Sequence, residues 1–114
     1  MKSAALFLCL LAICFGQADS AYMEVIRISG NDECKESHEF KVSPHWRVTA
    51  TCAKVGPSPE ITVFANPTSG TQNWEIISLS GEGSKSCYVR DGGKYKLMIN
   101  GFDAAWTVTV ENAQ

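Results

Sequence analysis

Two histidines, His38 and His45, are the only imidazoles in the chain, and they limit what acid–base or nucleophilic chemistry it can offer. A hydrolytic triad needs a nucleophile, an imidazole and an orienting carboxylate, and no Gly-x-Ser-x-Gly elbow accompanies either histidine. His38 shares parity with Phe40 and reads as a strand-end residue, while His45 follows Pro44 in a turn. The carboxylates Glu60, Glu75, Asp91 and Asp103 are spread over separate segments, with no cue that two converge for glycoside cleavage. Gly81-Glu82-Gly83-Ser84-Lys85-Ser86 lacks the spacing of a phosphate loop and reads as a hairpin connection. No catalytic residue, and therefore no enzyme, is expected.

Metal and thiol chemistry come next. Hard oxygen ligands at loop ends, Asp32, Asn100 and Asp103, are the candidates for a calcium ion, although no EF-hand pattern is present. Cys34, Cys52 and Cys87 with the two histidines form no closely spaced ligand pairs, so zinc is not expected. Three cysteines in an oxidising compartment predict one bridge and one leftover thiol. Cys52 falls in phase with the apolar residues of its segment, which assigns Cys34 to Cys87 and leaves Cys52 free or intermolecular. Such a bridge would contribute ~3–4 kcal/mol on the chain-entropy estimate. A monomer or a disulfide-linked dimer follows.

Binding is the remaining chemistry. Trp74 on a strand apolar on both faces, Tyr88 with outward parity and Phe102 at a turn tip are candidate surface aromatics, which give contact area at low entropic cost. Lys54-Val55-Gly56-Pro57-Ser58-Pro59 is a second kind of candidate, a loop whose prolines restrict its backbone before any partner arrives.

The elements that must position these residues begin after an export signal. Lys2, the apolar run from Ala4 to Phe15 and the small or polar residues Gly16 to Ala21 have the order of a signal peptide, residues 1–18, with cleavage after Ala18 or after Ser20. The run is too short to span a bilayer and no second one follows, so no membrane anchor is expected. Cys9 and Cys14 leave with it. The formal net charge is -2, with no basic cluster, which excludes nucleic acid as a partner. Asn66-Pro67-Thr68 carries the proline that bars N-glycosylation.

Residues 21–114 alternate apolar and polar side chains in short bursts separated by turn residues, the signature of a sandwich or barrel. Eight strands are predicted: 23–29, 38–42, 46–52, 60–65, 74–79, 86–89, 94–99 and 105–111. Parity assigns the core to Phe40, Val42, Trp46, Val48, Ala50, Cys52, Ile61, Val63, Ala65, Tyr95, Leu97, Ile99, Trp106, Val108 and Val110. Trp74 with Ile76 and Ile77 with Leu79 leave one strand without a parity. The fold expected is a single all-β, antiparallel two-sheet sandwich, jelly-roll-like.

Gly93-Lys94-Tyr95-Lys96-Leu97-Met98-Ile99, with Ala105-Trp106-Thr107-Val108-Thr109-Val110 after it, resembles the closing hairpin of small extracellular β-sandwich modules, the pre-peptidase C-terminal type among them. His38 to Val42 followed by Trp46 to Ala50 is similar to their early strand pair. The resemblance implies an accessory or adhesive, non-catalytic module; the cysteines depart from that pattern. The function expected is a secreted binding or structural protein of the extracellular space, a matrix, adhesion or recognition module that meets a protein, glycan or mineral surface. Two alternatives are a secreted proteinase inhibitor acting through Lys54–Pro59 and a defence or toxin-like effector.

Overall fold

The computed structural model describes residues 22–113; the expected signal segment and its cleavage points lie outside the described residues. Nine strands follow in order: β1 (Tyr22–Asn31), β2 (Cys34–Glu36), β3 (Phe40–Val42), β4 (Trp46–Lys54), β5 (Glu60–Pro67), β6 (Trp74–Ser80), β7 (Gly83–Val89), β8 (Gly93–Phe102) and β9 (Ala104–Ala113). They form two antiparallel sheets, the first in the order β1-β9-β4-β7 and the second in the order β2-β8-β5-β6, with β3 also paired to β8. Among the described residues no helix is long and apolar enough to cross a membrane.

The residues assigned inward by parity are buried, and together they form one cluster between the sheets. Ile77 and Ala104 join them. A sandwich-like, all-β architecture follows from this period of two: β3, β4, β5, β8 and β9 each present one buried row to the cluster and turn a more exposed row outward.

The ninth strand is the short β2, predicted as part of a turn-rich connection. Its three residues are all exposed and carry no alternation to read. It pairs with Asn100, Ile99 and Met98 at one half of β8, while β3 pairs with Tyr95, Lys94 and Gly93 at the other half. Leu97 lies between the two pairings, and Ser37 completes the edge there. The Ser37 amide donates to the Leu97 carbonyl and the Leu97 amide donates to Ser37 Oγ, both at 2.9 Å. A buried serine thus keeps the ladder satisfied where the edge strand breaks.

The strand of uncertain parity is settled by a bulge. Val63 faces Ile77 and Phe64 faces Glu75, so Ile76 is an extra residue in β6. The bulge reverses the phase: Ile77 and Leu79 point to the core on one side of it, and Trp74 points to the core's rim on the other.

Two tryptophans anchor the two ends. Trp106 donates from Nε1 to the Glu33 carbonyl at 3.0 Å, and its indole packs against Gly30 and Gly101, where any Cβ would overlap it. At the other end Trp46 Nε1 and Tyr95 Oη both donate to the Asp91 carbonyl, at 2.9 and 2.8 Å. Phe40 packs edge-on against Trp46, and Trp74 closes the same cluster against Tyr95.

The expected Cys34–Cys87 bridge is not formed; Cys34, Cys52 and Cys87 are free thiols. The strand order explains why. Cys34 lies on β2, at the outer edge of β8, whereas Cys87 lies on β7, which packs beside β6 at the far side of the fold. Crossing the second sheet from β2 to β6 takes three strand spacings, about 14 Å, against the ~7 Å limit between bridged Cα atoms. Cys52 is 5% exposed, which agrees with a free buried thiol and rules it out as the intermolecular one. Among the described residues the exposed cysteine is Cys34.

Candidate binding surfaces

The three surface aromatics do not form one platform. Trp74 is engaged with Tyr95 and reads as the rim of the core. Tyr88 lies on the outer face of the first sheet, where β7 pairs with β4, and Phe102 lies on the outer face of the second.

Tyr88 belongs to a pinned cluster. The Arg47 guanidinium sits 4.0 Å from the centre of the Tyr22 ring, Tyr22 meets Tyr88 edge-on, and Arg47 Nε donates to Glu111 Oε1 at 2.8 Å. Burial works against the Arg47 charge, but the side-chain hydrogen bonds with Glu111 and Tyr88 outweigh it and hold the guanidinium protonated well above its ordinary range. The arrangement fastens β1, β4, β7 and β9 to one another. Beyond it the same face is a field of hydroxyls paired across strands, Ser29 with Thr107 and Thr49 with Ser86. These contacts are internal; they stabilise the sheet.

The opposite situation holds around Asp103. This residue adopts a left-handed φ of 54° between β8 and β9, and Asp32, after β1, adopts one of 53°. Asp32 Oδ1 accepts the Asp103 amide at 2.8 Å, and the Ala104 carbonyl accepts the Asp32 amide at 2.7 Å. Asp103 then holds the loop that follows β4. Its carbonyl accepts the amides of Val55 and Gly56 at 2.9 and 3.1 Å, and its Oδ2 accepts that of Ser58 at 3.0 Å. Gly56 is required there because a Cβ would overlap the Asp103 carboxylate. The loop's two ends are fixed as well: the Lys54 amide donates to Glu82 Oε2 and the Pro59 carbonyl accepts from Gly81.

Two large apolar side chains remain uncovered beside this frame. Val55 is 52% exposed and Phe102 is 62% exposed. Phe102 was legible as a turn-tip aromatic; Val55 was read only as one residue of a proline-rich loop. The role of Asp103 was missed altogether, since its partners lie more than forty positions away and no local pattern marks them.

The calcium candidates separate into different roles. Asp32 and Asp103 do come together, but their carboxylates accept backbone amides and lock two turns. Asn100 stands within β8, two residues before its end, paired with Cys34 and Thr62. Among the described residues no group of three or more His, Cys, Asp and Glu side chains is placed to hold a metal ion. His38 is exposed on the connection from β2 to β3, and His45, exposed at φ 65°, donates its amide to the Arg90 carbonyl.

Compared with known protein families the chain matches none, and compared with curated proteins it finds no match. The likeness to small extracellular sandwich modules therefore rests on the residues quoted for it alone.

Proposed function

We propose that the chain is a secreted, non-catalytic binding protein of the extracellular space, and that it recognises a protein partner through the Val55–Phe102 end. The observation that carries this reading is the loop held by Asp103. Three of its amides are committed to one residue, so its shape exists before a partner arrives, while Val55 and Phe102 are left out of the core. Preorganisation of this kind lowers the ordering cost of association, and apolar side chains on a fixed frame supply the contact area. We further infer a fold of jelly-roll type, supported by the interleaved order in which β1, β9, β4 and β7 alternate in sequence with the strands of the other sheet.

The test is a binding screen against extracellular proteins with wild type and the Val55→Ser/Phe102→Ser double variant. The expected result is a partner retained by wild type and lost by the variant, with both proteins unfolding at the same denaturant concentration. Turnover of a peptide, ester or glycoside that disappears on changing His38 or His45 would overturn the non-catalytic reading.

A second reading has its own support. The amide of Lys54 is pinned to Glu82 at the start of the same loop, so the segment Lys54–Pro59 offers a fixed backbone with a basic side chain, as an inhibitor loop would. A panel of extracellular proteases separates the two: inhibition at micromolar protein that is lost in Lys54→Ala selects the inhibitor, and no inhibition removes it.

A further inference from the structure

β1 is the longest of the strands that end a sheet, and among the described residues it pairs with β9 alone. The parity of that pairing is fixed where it ends, because the Asp32 amide donates to the Ala104 carbonyl. Bonded and unbonded partners alternate along an antiparallel ladder, so Gly30, Ile28 and Ile26 turn their backbone groups to β9. Asn31, Ser29 and Arg27 turn theirs to the open side. Nearer the start of β1 a bulge opposite Val110 and Glu111 breaks the register. Arg27 to Asn31 is therefore the regular part of the edge, the part an added strand could use as a template.

Two charged side chains already occupy it. The Asn31 amide donates to Glu33 Oε2 at 3.0 Å, and Lys35 Nζ donates to the Ser29 carbonyl at 2.7 Å. The ammonium also lies 4.0 Å from Glu33 Oε2. Both residues are held from elsewhere: the Glu33 carbonyl accepts from Trp106 Nε1, and Lys35 lies on β2, paired with Ile99. Lys35 thus belongs to the second sheet and reaches the edge of the first. The reverse contact closes the other open side. There the Gly81 amide donates to the Pro59 carbonyl, which by the same alternation turns Ser78 away from β5, and Lys85 Nζ, on β7, donates to the Ser78 carbonyl at 3.1 Å. A lysine set into a sheet edge is one of the devices by which natural proteins prevent strand addition.

We propose that Glu33 and Lys35 form a guard that keeps β1 closed, and that the strand it excludes is β1 of a second copy of this chain. The edge is self-complementary. Two copies related by a two-fold axis at Ser29 set Arg27 opposite Asn31 and Ile28 opposite Gly30, so no like charges meet. The ladder bonds of that pairing run through Arg27, Ser29 and Asn31, the residues that face outward, and join two four-stranded sheets into one of eight. Forming them requires the Ser29 carbonyl and the Asn31 amide of each copy to give up Lys35 and Glu33. Two exposed hydrogen bonds are equivalent to about tenfold in a dissociation constant, and the two edges together to about a hundredfold. Neither Val55 nor Phe102 takes part, so recognition at that end and closure of this edge can fail separately.

The experiment is sedimentation velocity over a concentration series with wild type, Glu33→Ala/Lys35→Ala and Lys35→Met. Removing both contacts should lower the concentration at which half the chains are dimeric about a hundredfold, and Lys35→Met, which removes one contact per edge, about tenfold. Lys35 is exposed, so its variant keeps the test open even if the double variant fails to fold. Amide exchange locates the contact: the Arg27, Ser29 and Asn31 amides should be protected in the dimer. Arg27→Pro, added to the double variant, should abolish dimerisation, because it removes an outward amide that the ladder to β9 does not use. A double variant no more associated than wild type would overturn the guard, and so would a wild type that already pairs through β1. Dimers that leave the three amides unprotected, or that survive Arg27→Pro, would overturn the edge as the site.

Discussion

Asp103 offers the sharpest test of whether the loop after β4 is built rigid, because two separable features of one residue hold it. The carboxylate accepts the Ser58 amide at 3.0 Å, and the backbone, at φ 54°, aims its carbonyl at Val55 and Gly56. Asp103→Gly removes the first and tolerates the second. A hydrogen bond to a charged group contributes ~1.5–3 kcal/mol, and the partial exposure of Asp103 reduces the expected loss to about 1 kcal/mol. Asp103→Ala loses the same bond and must also hold an ordinary side chain in the left-handed region, which costs a further ~1 kcal/mol. Asp103→Asn keeps an acceptor and tolerates that region, so it should stay within ~0.5 kcal/mol of wild type. Urea unfolding followed through the buried Trp46 and Trp106 reads all three, with amide exchange at Ser58 as the local probe. The Gly variant should expose the Ser58 amide before the fold opens. Equal stability of the Ala and Gly variants, or unchanged protection of Ser58, would refute the reasoning.

Gly101→Ala places a methyl against the Trp106 indole and should cost about 1–3 kcal/mol while weakening the bond from Nε1 to Glu33, seen as a shift in Trp fluorescence; native stability would mean that the indole can move aside at no cost. Cys34 should react with a thiol reagent in the folded protein, Cys87 slowly, and Cys52 only on unfolding; rapid labelling of Cys52 would contradict its place in the core. Burial raises the thiols of Cys52 and Cys87 above the ordinary range, with Glu82 adding to the effect at Cys52. The unfolded thiols ionise first, near pH ~8.5, so the stability these groups contribute is complete below that pH and is lost as pH rises toward their folded values. Tyr95, raised chiefly by burial and then by Asp91, adds a later loss that begins near pH ~10. Urea midpoints should therefore be flat from pH 7 to 8 and fall above it, less steeply in Cys52→Ala; a midpoint constant to pH 10 would be the contrary result.

The dry row of the fold was readable residue by residue, because a strand with one wet face must alternate and the alternation survives in the composition of each segment. It failed where the backbone departs from a period of two. In β6 the extra residue at Ile76 reverses the phase mid-strand, so a run that looks apolar on both sides has only one buried face. In β2 there is no alternation at all, and the strand exists because β8 has a free edge and Ser37 can finish it.

Strand order is a different kind of information, and the cysteines show its weight. Parity alone placed Cys52 inside the core, correctly, yet the choice of Cys34 and Cys87 as partners needed to know which edges their strands occupy. That depends on how four distant segments stack. The same gap hides the loop held by Asp103 and a cavity beside Asn66 alike. Asp103 reaches Ser58 across forty-five positions, and the cavity beside Asn66 draws on β2, β5, β8 and two connections. None of these residues carries a local mark, since Asp in a turn and Glu or Lys on a wet face are what any exposed strand end would show. What distinguishes them is an unmet or overcommitted hydrogen bond: Asp103 accepts three amides from one loop, and Asn66 Oδ1 accepts none. The first is a device for holding a surface still. The second is an interior acceptor that the fold itself leaves unpaired, at the other end of the same strands.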